Sequence, residues 1–146
     1  MTNRNELVNT ELAHYTFTVE RGKIREMALA IGDDNPLYTN PDYAREQGYR
    51  DVIAPPTFGI CIDLWGGHDF TALCKKLQLN PLKVLHGEQE YRYYDDICPG
   101  DQLEAVCRLK NYIDKGKMYL FCLETEYRDQ AGKTVLVSRC NIIERK

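Results

Sequence analysis

VLHGEQEYRYYD (84–95), QLEAVCRLKNY (102–112), KMYLFCLETEYR (117–128) and KTVLVSRCNIIE (133–144) fill the second half of the chain, and their reading decides the fold. Each reads as a strand. Apolar and polar positions alternate through 84–94 and 133–143, as in a strand with one face on a core. The separators, Cys98-Pro99-Gly100-Asp101, Lys115-Gly116 and Gln130-Ala131-Gly132, all carry turn chemistry. Four strands in succession at this spacing predict an antiparallel meander.

Outward from that block, DFTALCKKLQL (69–79) has a helical pattern that Asn80-Pro81 ends. Before it, Phe58, Ile60, Cys61, Ile62, Leu64 and Trp65 are apolar nearly all round, which predicts a buried helix, interrupted at Gly66-Gly67. Ile24, Met27, Ala28 and Ile31 share one helical face, and Gly32 stops that helix by tolerating a left-handed backbone. HYTFTV (14–19) reads as a further strand, after a weakly ordered lead-in over 1–13, so that 14–146 is one domain. The sum is an α+β architecture, a helix covering one face of a curved antiparallel sheet. Such a sheet leaves a strand edge open, and dimerisation edge to edge is a natural remedy.

Composition narrows the function classes. The 146 residues carry 19 Lys+Arg against 22 Asp+Glu, a formal charge of -3, which leaves no basic surplus for a phosphate backbone and argues against nucleic acid. No apolar run approaches the ~20 residues of a membrane span, and MTNRNELVNT is too polar for a signal peptide, so a cytoplasmic protein is expected. Cysteines at 61, 74, 98, 107, 122 and 140 form neither a Cys-x-x-Cys pair nor zinc spacing, and are expected reduced, several as small core residues.

Residues 32–57, GDDNPLYTNPDYAREQGYRDVIAPPT, make a long, heavily punctuated connection. Asn40 caps a short helix with Pro41 at its first position, and Gly48 ends it. A connection this long is more often functional than accidental. Asp33 and Asn35 are also the residue types that bond their own backbone in turns.

The stretch AIGDDNPLYTNPDYAREQGY (30–49) resembles the hydratase-2 motif of the MaoC-like dehydratases, with Gly32, Asp33, Asn35, Pro36, Leu37, Asn40, Pro41, Ala44, Gly48 and Tyr49 in register. HGEQEYRYYDDICPGDQL (86–103) and Ile53-Ala54-Pro55-Pro56-Thr57-Phe58 extend the likeness over most of 14–144. The resemblance implies the hot-dog fold, a curved antiparallel sheet wrapped around a long central helix, usually paired as a dimer or fused as a double unit. It implies reversible hydration of a trans-2-enoyl thioester of coenzyme A or acyl-carrier protein, with no metal or redox cofactor. In that chemistry a positioned acid/base handles the proton, and a backbone N–H meets the charge on the thioester carbonyl.

Carried over residue by residue, the resemblance places Asp33 at the catalytic aspartate and Asn35 at the asparagine that holds loop and water. The catalytic histidine position is Tyr38, whose ordinary pKa near ~10 makes a poor base at neutral pH. The His-Gly oxyanion element aligns with Pro55-Pro56, and proline has no N–H. Thr57 offers its amide if the loop shifts by one residue. An acid/base group is worth ~10²–10⁴ in rate and an oxyanion donor ~10²–10³. The pattern Asp33-Asp34-x-x-x-Tyr38 followed by Ala54-Pro55-x-Thr57-Phe58 resembles the non-catalytic subunit of heterodimeric (3R)-hydroxyacyl-ACP dehydratases, or the N-terminal half of double hot-dog dehydratases, and that resemblance implies that a motif-complete partner does the chemistry.

Pro56, Thr57, Phe58, Gly59, Ile62, Trp65 and His86 are the expected substrate-binding residues, with Phe58, Ile62 and Trp65 lining or bordering the acyl tunnel. His68, beside Gly66-Gly67, is a weaker candidate. Tyr91, Tyr93 and Tyr94 read as sheet packing and His14 as a strand-surface residue. Partners are an acyl thioester and a second subunit, identical or motif-complete. A non-catalytic thioester-binding module and a hot-dog thioesterase stay open as alternatives.

Overall fold

The computed structural model describes residues 3–67 and 69–146, which leaves His68 outside the described residues. Strand β1 (Glu11–Thr18) is followed by helices α1 (Arg21–Ala30), α2 (Pro41–Glu46), α3 (Gly59–Trp65) and α4 (Phe70–Leu77). Strands β2 (Val84–Tyr93), β3 (Gln102–Asp114), β4 (Met118–Arg128) and β5 (Thr134–Arg145) complete the fold. All pair antiparallel in one sheet of order β1-β3-β4-β5-β2. This is the α+β hot-dog architecture implied above.

The four C-terminal strands are not a simple meander. β3, β4 and β5 pair in succession, but β2 pairs with β5, and β1 takes the place beside β3. Alternation fixes which face of a strand is buried and says nothing about its neighbour, so the order was out of reach of the pattern. The segment between β2 and β3 therefore crosses the sheet end.

That crossing is pinned by the Cys98-Pro99-Gly100-Asp101 turn. Asp101, 5% exposed, accepts the Cys98 N–H at 2.9 Å and Arg50 Nη2 at 2.5 Å. Its backbone carbonyl accepts the Val19 N–H, while Gly100 N–H donates to Val19 O, tying the turn to the end of β1. The Arg50 guanidinium is more than half exposed, so the ion pair itself contributes little. The Cys98 N–H is fully buried and depends on the carboxylate. Asp101→Ala should cost about 2 kcal/mol by orphaning that donor. Urea denaturation checks this, and an unchanged midpoint would show that water replaces the carboxylate.

The core lies between the helices and one face of the sheet, in two adjoining clusters. Phe58 and Ile62 pack with Leu103, Ala105, Tyr127 and Leu136. Leu73, Cys74 and Leu77 of α4 pack with Leu109, Phe121, Leu123 and Ile142. The helical layer is in two pieces because the chain passes too close to Tyr15 at Gly67. A Cβ there would sit 2.7 Å from the Tyr15 ring, and φ is +145°. α3 is not buried all round: it buries Gly59 and Ile62 and leaves Leu64 and Trp65 exposed, Trp65 at 83%. Seven residues against one sheet can cover only one helical face.

The lead-in also differs from expectation. Arg4–Leu7 forms a 3-10 turn, and β1 begins at Glu11. Arg4 is the anchor, paired with the buried Glu144 at 2.9 Å and lying over the rings of Tyr119 and Phe121.

Candidate active site

The loop after α1 is built from its own side chains. Gly32, at φ +69°, turns the chain out of α1, and Asp33 N–H bonds back to Ala28 O. Asp33 Oδ1 accepts the Asn35 N–H at 3.1 Å, and Asn35 Oδ1 accepts the Leu37 N–H at 3.0 Å, capping the 3-10 turn Pro36–Tyr38. Both residues thus hold the turn, as their types favour. Asn40 caps α2 by accepting from Asp42 N and Tyr43 N. Ile53 N–H to Leu37 O and Ala54 N–H to Ile97 O then dock the following segment over the turn.

Tyr38, 7% exposed, sits in the core at the end of this turn. Burial pushes its hydroxyl up, and the nearby Asp33 charge adds to the shift. It is therefore protonated at neutral pH and is no base. Tyr38, Ile53, Pro56 and Tyr93 line an open cleft of about 530 Å³. Tyr93 donates to Pro56 O at 2.8 Å, and burial pushes its hydroxyl up to about 12. Pro55 and Pro56 present no N–H toward this cleft. Among the described residues, the Thr57 N–H beyond them meets no acceptor.

No imidazole is paired with Asp33 among the described residues. His14 lies on β1, against Glu104 at 2.7 Å and Glu11 at 3.8 Å. His86 lines a different cavity, of about 320 Å³, between the helices and the sheet. Phe58 and Ile62 are fully buried in the main core and line neither cavity, and Trp65 points outward. Gly59 is where Tyr91 crosses α3: a Cβ would lie 2.5 Å from the tyrosine ring. The structure thus brings Tyr38 and Pro56 together in one cleft and leaves His86 in another.

The second cavity holds a group the sequence reading passed over. Asp63, on α3, accepts the hydroxyls of Tyr91 at 3.0 Å and Ser138 at 2.7 Å on Oδ2, and of Tyr127 on Oδ1. Tyr127 also meets Tyr15 at 3.0 Å, and Gln89 donates to Ser138 at 2.8 Å. Burial first, then the Asp63 charge, raises the hydroxyls of Tyr91 and Tyr127. A carboxylate inside the apolar run Phe58–Trp65 was the available clue. Tyr91 does more than pack the sheet.

Nucleophilic alternatives are quiet. All six cysteines are free thiols, and burial pushes Cys98 and Cys107 up to about 11 and Cys140 up to about 12, so none is a thiolate at neutral pH. Among the described residues no group of three His, Cys, Asp or Glu side chains is placed to hold a metal ion. No helix among them is long and apolar enough to cross a membrane.

Residues 6–137 match the family model for the FAS1-like dehydratase domain region. A UPF0336 protein of Thermobifida fusca is 37% identical over 129 residues, covering 88% of this chain and 84% of its own. Among solved structures, a MaoC-like dehydratase superposes with a TM-score of 0.80 at 20% identity, over 99% of this chain and 44% of that longer one. One chain of the HadBC (3R-hydroxyacyl-ACP dehydratase) complex of Mycobacterium tuberculosis superposes at 0.75 with 17% identity, over 93% and 99%. At these identities the superpositions speak for the fold alone.

Proposed function

The chain belongs to the FAS1-like dehydratase-domain family, with the fold of MaoC-like hydratases, and on that premise we propose that it is a subunit of an (R)-specific enoyl-thioester hydratase, or (3R)-hydroxyacyl-thioester dehydratase, whose own catalytic motif is degenerate. Its substrate is a fatty acyl thioester of coenzyme A or acyl-carrier protein. A motif-complete partner supplies the imidazole and the oxyanion amide. In this chain Asp33 and Asn35 keep the loop in shape, Tyr38 forms a wall of the cleft, and the segment Pro56–Gly59 borders the thioester.

The observation that carries this reading is the buried, protonated Tyr38 beside Asp33, where the family chemistry needs an imidazole. The pairing of Pro55 with Pro56 removes the amide at the same end of the cleft. Either loss alone costs ~10² or more in rate, so turnover by this chain alone should sit far below that of a complete hydratase. The partner is favoured by exposed apolar side chains: Leu64 and Trp65 on α3, and Leu85 on edge strand β2, stand open. The HadBC dehydratase, of similar fold, is itself a complex.

The test is hydration of crotonyl-CoA by the chain alone and with a motif-complete MaoC-like subunit from the same source. Turnover in the mixture, about 10²-fold or more above this chain alone, with co-elution of the two chains, is the expected result. Full turnover by the chain alone, abolished by Asp33→Asn, would make it a complete catalyst. Release of free thiol without hydration would make it a thioesterase.

A further inference from the structure

The two ends of the sheet carry opposite charge. At one end Glu20 lies just past β1, Asp95 and Asp96 follow β2, Asp101 precedes β3 and Asp129 follows β4. Lys133 pairs with Asp95, Arg50 with Asp101 and Arg128 with Glu126. That end holds the Tyr38 cleft, lined by Tyr93, Tyr94, Asp95 and Asp96. The other end is basic. Met118 on β4 pairs with Arg145 on β5, and Val84 on β2 pairs with Glu144, so Lys117, Arg145 and Lys83 stand on three adjacent strand ends. At ordinary strand spacing they lie within about 10 Å across the sheet. Lys115 extends the row into the turn between β3 and β4, and the last turn of α4 adds Lys75 and Lys76. Lys83, Lys115, Lys117 and Arg145 are exposed, and among the described residues none of the four is in an ion pair. The acids at this end are Asp114, held by Lys146 at 2.7 Å, the buried Glu144, paired with Arg4, and the exposed Glu6.

Leu82 stands at the tip of this end, 94% exposed, the most exposed large apolar side chain among the described residues. A single exposed leucine is ordinary. This one is held out on a rigid turn. Pro81 fixes the start of the 3-10 turn Pro81–Lys83, Asn80 Oδ1 accepts the Leu82 N–H at 3.1 Å, and the Asn80 N–H is tied to Glu144 at 2.6 Å. The residue types discriminate among occupants. Lysine is depleted from protein interfaces and leucine is scarce among their hot spots, yet three of the four unpaired cations are Lys and the protruding anchor is Leu. Single-stranded nucleic acid is held by free aromatic faces, but Tyr119 is engaged with Arg4, Lys146 and Tyr112. An anionic bilayer offers diffuse negative charge to lysines that lack a fixed partner, and a hydrocarbon boundary to the leucine.

We propose that this end of the sheet is a peripheral docking surface for an anionic lipid bilayer, with Lys83, Lys115, Lys117 and Arg145 on the headgroups and Leu82 at the acyl boundary. Such contact needs no membrane-spanning helix. The chain as a whole carries -3, so an anionic surface attracts it in one orientation, basic end first. The Tyr38 cleft then faces away, separated by the ten residues of β2, or roughly 33 Å. Docking is therefore independent of the loop chemistry proposed above.

Co-sedimentation of the full chain with vesicles of phosphatidylcholine, pure or mixed equally with phosphatidylglycerol, tests it at about 0.1 M salt. Each basic residue near such a surface is worth about fivefold. Partition to the anionic vesicles should therefore exceed that to phosphatidylcholine about 100-fold or more, and fall as salt rises. Lys115→Ser with Lys117→Ser should lower it about 25-fold. Lys23→Ser with Arg25→Ser removes the same charge on α1 and should change it less than about twofold. Leu82→Ser, with the charge unaltered, should lower it about tenfold. All five side chains are exposed, and the lipid preference of the unaltered chain needs no variant. Equal partition to both vesicles, an equal loss in the α1 variant, or an unchanged partition of Leu82→Ser overturns the inference. Binding of a short DNA duplex or of polyglutamate as tight as that of the anionic vesicles also overturns it, and would make the basic end a site for polyanions in general.

Discussion

Tyr38→His should raise crotonyl-CoA hydration by the isolated chain about 100-fold above its own background. The site is otherwise prepared for an imidazole. Asn35 caps the turn that carries residue 38, and Asp33 lies close enough for its charge to act on the Tyr38 hydroxyl. That hydroxyl is raised by burial and cannot take a proton at neutral pH, whereas an imidazole titrates near ~6.5 and an adjacent carboxylate favours its protonated form. Histidine is smaller than tyrosine, so the buried position accepts it without overpacking, at a stability cost of about 1–2 kcal/mol for lost apolar contact. General acid–base catalysis is worth ~10²–10⁴, and the low end applies because the carbonyl still lacks its donor. Pro55-Pro56 leaves the variant a further ~10²–10³ short of a complete hydratase. Asp33→Asn in the Tyr38→His background should erase the gain. A chain that gains nothing has lost more than its imidazole. A chain that reaches the rate of a complete hydratase is using the Thr57 amide.

Much of this was legible along the chain because it is local. Asn40-Pro41 wrote the start of α2, and Asn40 caps it through two backbone N–H groups as its type favours. The four C-terminal strands follow their alternation, with Leu103, Ala105, Cys107 and Leu109 all inward on β3. What depends on contacts distant in sequence was not legible. The placement of β2 beside β5 is a choice of neighbour, on which alternation is silent. The exposure of Leu64 and Trp65 follows from how little sheet α3 has to cover. Asp63 is the clearest case. Its role appears only when Tyr91, Tyr127 and Ser138, from three different strands, converge on it, and no spacing within the chain encodes that convergence. The loop's turn bonding was readable because Asp33, Asn35 and Tyr38 lie within six residues; the Asp63 network was not, because its members span residues 15 to 138.

Glu144→Ala should destabilise the fold by about 3–5 kcal/mol, the cost of removing one partner from a buried ion pair. Glu144, 5% exposed near the end of β5, accepts the Asn80 N–H at 2.6 Å through one oxygen and faces Arg4 at 2.9 Å through the other. Both side chains of the pair are shielded, at 7% and 18% exposure, so solvent screening is weak. Arg4 also donates to Gln78 O at the end of α4, so the carboxylate ties the N-terminal turn, the α4 exit and the entry to β2 at one point. Removing it leaves the Asn80 N–H without its acceptor and the Arg4 guanidinium without its counter-ion, while the bond from Arg4 to Gln78 O stays. Replacing both partners by apolar residues of similar volume, Glu144→Leu with Arg4→Met, orphans no charge and should cost less than about 2 kcal/mol. Urea denaturation of the two variants separates the explanations. If the double replacement is as damaging as Glu144→Ala, the pair stabilises through its charges and not merely by satisfying each other.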